Sequence, residues 1–138
     1  MLRPLSLVLC TALLGACASN ASNEDNASGG KPAESDMRTI ASGTSMSLRQ
    51  GETVRLPDDA TLKYVAVTQD SRCPPNVQCI RAGDADIAFE FAGGATAARV
   101  TLNLPESPTA SMGAWRLTVE SLEFGQMPPV TVRIDPAQ

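Results

Sequence analysis

The chain has 138 residues, 43% of them hydrophobic, and a net charge of −4 at pH 7. That length has room for one domain, and with one Trp, one Tyr and three Phe its core must be mostly aliphatic. The acidic balance and the lack of any Lys/Arg cluster argue against a nucleic-acid partner. The absence of histidine removes the commonest general base and the commonest metal ligand.

Residues 1–16 read as an export signal: Arg3 supplies the positive end, Leu5–Leu14 a short apolar run, and small residues follow. The run is too short to span a bilayer. The junction Leu14-Gly15-Ala16-Cys17 resembles the bacterial lipobox, in which cleavage precedes a cysteine that is then acylated. The resemblance implies a lipid anchor on Cys17 and a lipid bilayer as partner. Ala18 in place of Asp after the cysteine implies the outer membrane, facing the periplasm. Cleavage after Ala18 also fits the small-x-small rule and would give a soluble periplasmic or secreted protein.

On either route Cys10 leaves with the signal, and Cys17 is acylated or lost. Cys73 and Cys79 remain in a compartment that oxidises thiols, and a disulfide between them is expected. Residues 17–43 are then a lipidated Cys and a flexible tether, rich in Ala, Ser, Asn and Gly and without apolar periodicity.

From residue 44 to 138 the hydrophobic period is two. Met46 and Leu48 mark a first strand, Val54 and Leu56 a second. Thr61–Gln69 is a third, with Leu62, Tyr64 and Ala66 on one face and Val65 and Val67 on the other. Ala85, Ile87, Phe89 and Phe91 line a fourth strand with an acidic outer face, and Ala98, Val100, Leu102 and Leu104 a fifth. Pro105–Gly113 reads as a loop. Trp115, Leu117 and Val119 begin a sixth strand running through Leu122 and Phe124, with a change of face near Ser121 that marks a bulge. Val130, Val132 and Ile134 form the seventh. About seven short strands with regular turns define an all-β fold, a small antiparallel β-sandwich of immunoglobulin-like topology, with a small open barrel as the alternative.

The stretch Asp70–Gly83 concentrates features that core packing does not require. Asp70 can accept backbone N–H bonds from the turn after it, Pro74 and Pro75 stiffen the ring, and Gly83 suits a backbone angle that a β-carbon resists. This stretch resembles a group of small secreted bacterial proteins with Asp-Ser-Arg-Cys-Pro, Val-x-Cys and Ala-Gly between two strands. The matching positions are Asp70 to Pro74, Val77, Cys79, Ala82 and Gly83. Arg81 stands where that group often has an aromatic residue. The resemblance implies domain boundaries and the disulfide, and no activity.

Four readings of the stretch compete. As scaffolding, it is a braced crossover in which Arg72 or Arg81 pairs with Asp70, Asp84 or Asp86. As a binding loop, the ring presents Pro75, Asn76, Val77 and Gln78, flanked by Asp70, Arg72 and Arg81, to an envelope protein at low entropic cost. As a metal site, Asp70, Asp84 and Asp86 converge on Ca²⁺, which takes six to eight oxygens. As a redox pair, the cysteines have the wrong spacing and no neighbour to lower a thiol pKa. Met46, Met112 and Met127 lie apart and Trp115 alternates with core residues. No serine has an activating partner, and Glu90, Glu120 and Glu123 sit on outward strand faces. The sequence thus predicts a non-enzymatic binding or envelope-accessory module without a cofactor. The alternatives are a Ca²⁺-binding domain and a periplasmic protease or lysozyme inhibitor.

Overall fold

The computed structural model describes residues 37–138. The signal, Cys17 and the tether up to residue 36 lie outside the described residues. Eight strands follow one another without a helix: β1 (Ser45–Leu48), β2 (Thr53–Arg55), β3 (Thr61–Asp70), β4 (Ala85–Gly93), β5 (Thr96–Leu104), β6 (Thr109–Met112), β7 (Trp115–Leu122) and β8 (Val130–Pro136). They form two four-stranded antiparallel sheets, in the orders β1-β8-β7-β6 and β2-β3-β4-β5, which do not close into a barrel.

The β-sandwich expected from the period-two pattern is therefore present, with eight strands in place of seven. The additional strand, β6, lies inside the stretch read as a loop and pairs with β7 from Thr109↔Thr118 to Met112↔Trp115. Its four residues offer only Ala110 and Met112 as apolar positions, too few to register as a period. The strand order also departs from the immunoglobulin arrangement. Each immunoglobulin sheet interleaves strands distant in sequence. Here β2 to β5 and β6 to β8 are meanders, and only the β1–β8 pair joins distant segments.

The alternation works because inward positions of both sheets meet in a single core. Leu48, Val54, Leu62, Tyr64, Ile87, Phe89, Leu117, Val130, Val132 and Ile134 are all fully buried. Tyr64 and Phe89 stack with ring centroids 5.7 Å apart, and the Tyr64 hydroxyl donates to the Pro128 carbonyl at 2.9 Å. That bond lets the core hold a phenol without an orphaned donor.

Two bulges interrupt β3, between Tyr64 and Ala66 and between Val67 and Gln69. The first reverses which residues face inward, so Val67 packs against the core although it was assigned to the opposite face from Tyr64. The bulge expected near Ser121 falls between Val119 and Ser121. β7 stops at Leu122, however, and Phe124 lies beyond it, 47% exposed.

The folded domain also begins before residue 44, the boundary read from composition. Ile40 is fully buried, its N–H bonds the Arg55 carbonyl at 2.9 Å, and the Arg55 N–H returns a 2.9 Å bond to the Arg38 carbonyl. One isoleucine in a polar stretch carries no period, so only its place in the core reveals the true start.

Candidate binding loop

The cysteine stretch joins β3 to β4, and these are neighbours in one sheet with Asp70 opposite Ala85. It is thus the long end of a hairpin and not a crossover between sheets. The ladder continues past the last strand residues: the Ser71 N–H donates to the Asp84 carbonyl and the Cys73 N–H to the Ala82 carbonyl, both at 2.8 Å. Ser71 and Asp84 lock further, since the Ser71 hydroxyl donates to Asp84 Oδ1 at 2.7 Å and accepts from the Asp84 N–H at 3.1 Å.

This close approach of two backbones explains Gly83. Its φ is +70°, and a β-carbon there would lie 1.9 Å from the Ser71 carbonyl oxygen. No other residue type fits without moving the ladder. Beyond it Cys73 and Cys79 form the expected disulfide, with Cα atoms 5.9 Å apart. Inside the ring the Val77 N–H bonds the Pro74 carbonyl at 3.3 Å, closing a turn with Pro75 second and Asn76 third. Asn76 has φ +67°, the positive angle a type II turn demands at that place and one that asparagine tolerates.

Arg72 ties the base of the loop to the other sheet. Its Nε and Nη2 donate to Asp70 Oδ1 and Oδ2 at 2.9 and 2.7 Å, a bidentate pair, and the Arg72 N–H adds a 3.1 Å bond to the same carboxylate. The other face of the guanidinium reaches past the end of β7. Nη1 donates to the Leu122 carbonyl at 2.6 Å, and Nη2 to that of Glu123 at 2.8 Å. The group also lies 4.2 Å from the centroid of the Phe124 ring. Planar geometry and several fixed donors make arginine the residue for this position. The Arg72 hydrogen bonds hold the Asp70 carboxyl below its ordinary pKa, against the opposing effect of partial burial. Of the two arginines proposed for scaffolding, Arg72 takes that role. Arg81 is exposed and makes no ion pair among the described residues.

The three aspartates considered for Ca²⁺ do not act as one set. Asp70 is committed to Arg72. Asp84 and Asp86 are bridged by the Asn103 amide, which donates to Asp84 Oδ2 at 2.9 Å and Asp86 Oδ1 at 2.8 Å. Hydrogen bonds from Ser71 and Asn103 hold the Asp84 carboxyl below its ordinary pKa. Among the described residues no three His, Cys, Asp or Glu side chains group as a metal site.

What the scaffold leaves free is its tip. Pro75, Asn76, Gln78 and Arg81 are exposed, Val77 is 56% exposed, and Ile80 is wholly exposed. Ile80 was not among the residues singled out from sequence. An isoleucine beside a ring-closing cysteine, with only Gln78 and Ala82 two positions away and so no large apolar partner on either side, is a signal that could have marked it. No protein-family model, no curated protein and no solved structure matches this chain.

Proposed function

We propose that this chain is a non-enzymatic binding module of the cell envelope, held at the membrane by acylated Cys17 and engaging a protein partner through the loop Cys73–Cys79 and its neighbour Ile80. One observation carries the reading: a loop fixed by a disulfide, a bidentate ion pair and an obligatory glycine holds two bare aliphatic side chains toward solvent. A pre-ordered loop loses little entropy on docking. Exposed isoleucine on such a loop gives apolar contact area, and Arg81 beside it supplies a charge that can select a partner.

The test is affinity capture from envelope extracts with wild type, Ile80→Asp and a Cys73→Ala/Cys79→Ala double variant. Ile80 touches nothing in the core, so Ile80→Asp is expected to melt within about 2 °C of wild type, as surface substitutions do. It should nevertheless lose the captured protein. The double variant should lose it as well, with a stability cost of about 2 kcal/mol from the reopened seven-residue ring. If folded Ile80→Asp retains every partner, the loop is scaffolding alone. For the anchor, Cys17→Ser should move the protein from the membrane fraction to the soluble fraction, and an unchanged distribution would remove the lipid.

A further inference from the structure

Each sheet of a sandwich ends in two edge strands, whose outer N–H and C=O groups invite another strand unless something blunts them. Three of the four edges here are blunted. β1 has four residues, and the Arg38 side chain caps its Ser47 carbonyl at 2.8 Å. β2 has three, and the backbone of residues 38–40 satisfies both outer groups of Arg55. β6 has four. β5 differs: it is nine residues long, about 30 Å, with no proline and no bulge.

The direction of its backbone groups follows from one contact. Asn103 exchanges two hydrogen bonds with Ser107, its N–H to the Ser107 carbonyl at 3.1 Å and its carbonyl from the Ser107 N–H at 2.9 Å. Ser107 lies outside the sheet, so the Asn103 groups point away from β4. The β4–β5 register is unbroken from Ala85↔Leu104 to Gly93↔Thr96, so Ala97, Arg99 and Thr101 point the same way. Their outer groups have no backbone partner among the described residues. The side chains of Ala98 and Val100 on the core face of this strand are only half buried, so the core is uncovered along the same edge.

We propose that β5 is a self-association edge, through which two copies of this chain join their β2-β3-β4-β5 sheets antiparallel about a two-fold axis at Val100. The residues disfavour the two adjacent registers. An axis at Arg99 would set two guanidinium groups directly opposite, which is repulsive. An axis at Thr101 would need the outer groups of Asn103, which Ser107 already occupies. With the axis at Val100, Arg99 pairs with Thr101 of the second copy and the reverse, giving four backbone hydrogen bonds. Val100 then meets Val100, and Ala98 meets Leu102, on the face where the core is open. The tether is a poorer occupant of the edge, since its Asn, Gly and Asp are depleted in strands.

Thr101→Pro tests this. The Thr101 N–H points outward, so proline there leaves the β4 ladder whole while it removes a donor and places a ring in the path of the incoming strand. Sedimentation of the exported chain carrying Cys17→Ser, which takes no acyl group, should show a concentration-dependent dimer. Thr101→Pro removes two of the four bonds at a factor of about five each, so association should weaken about 30-fold or more. Residue-resolved amide exchange keeps the proposal testable if that variant does not fold. In dilute wild type the Arg99 and Thr101 amides should exchange fast beside slow Val100 and Leu102, and concentration should protect Arg99 and Thr101 while Ala97 stays fast. A monomer at every concentration overturns the proposal, as does a dimer in which the Arg99 and Thr101 amides remain fast. A folded Thr101→Pro that dimerises like wild type does so too.

Discussion

Arg72→Met removes the guanidinium while keeping the aliphatic length of the side chain, and so isolates the bond network that joins the loop to β7. The losses are specific. Two carbonyls, of Leu122 and Glu123, lose a charged donor, and the Asp70 carboxylate loses its bidentate partner. The face of Phe124 loses its cation. Bonds of this kind contribute about 1 kcal/mol or more each, and an accessible cation–π contact about 0.5–1 kcal/mol. The Arg72 and Asp70 side chains keep 14% and 29% of their exposure, so water recovers part of the loss. The net cost should be about 2–3 kcal/mol. For a domain of this size that corresponds to a fall of about 10–20 °C in Tm.

Thermal and guanidinium unfolding followed by circular dichroism measure it, with Arg81→Met as a control that removes an exposed guanidinium with no ion pair among the described residues. The gap between wild type and Arg72→Met should also depend on pH. The folded-state pKa of Asp70 is depressed, so the stability it confers is complete above the ordinary carboxylate value, about pH 4, and is lost as pH falls through the folded-state value. The gap should therefore narrow on acidification below about pH 4 by the Asp70 share, while the bonds to the Leu122 and Glu123 carbonyls keep the remainder. A fall in Tm of less than about 4 °C, or one matched by Arg81→Met, would show that Arg72 does not hold the loop to the second sheet.

Gly83→Ala should cost about 3 kcal/mol or more, because a β-carbon both strains the positive φ and displaces the Ser71 carbonyl, and amide exchange at Ser71 and Cys73 should accelerate first. A melting curve superimposable on wild type would mean the two backbones do not approach as described. Tyr64→Phe deletes the buried donor to the Pro128 carbonyl and should cost about 1–2 kcal/mol without altering the core. Burial raises the Tyr64 pKa, so its stability contribution is present below about pH 10 and lost as pH rises through the folded-state value. Tyr64 is the single tyrosine, so phenolate absorbance reads it directly and should appear only above that range or with unfolding. Ordinary titration in the folded protein would refute its burial.

Alternation of apolar residues made the all-β class and most of the core legible in the sequence, since a strand half-buried in a sheet must repeat with period two. The Cys73–Cys79 bond was legible too, because these are the two cysteines that the expected loss or acylation of Cys10 and Cys17 would leave to pair. What the sequence could not carry were facts set by neighbours distant along the chain. The face reversal at Val67 depends on a bulge against β4, the burial of Ile40 on Arg55, and the strand at Thr109–Met112 on its pairing with β7. The position of Arg72 depends on two carbonyls fifty residues away. The same holds for β5, whose pattern reads like any other strand until the sheet order leaves one of its sides open. Local patterning follows from each residue's own burial preference. Which backbone groups find partners is decided only when the two sheets close on one another.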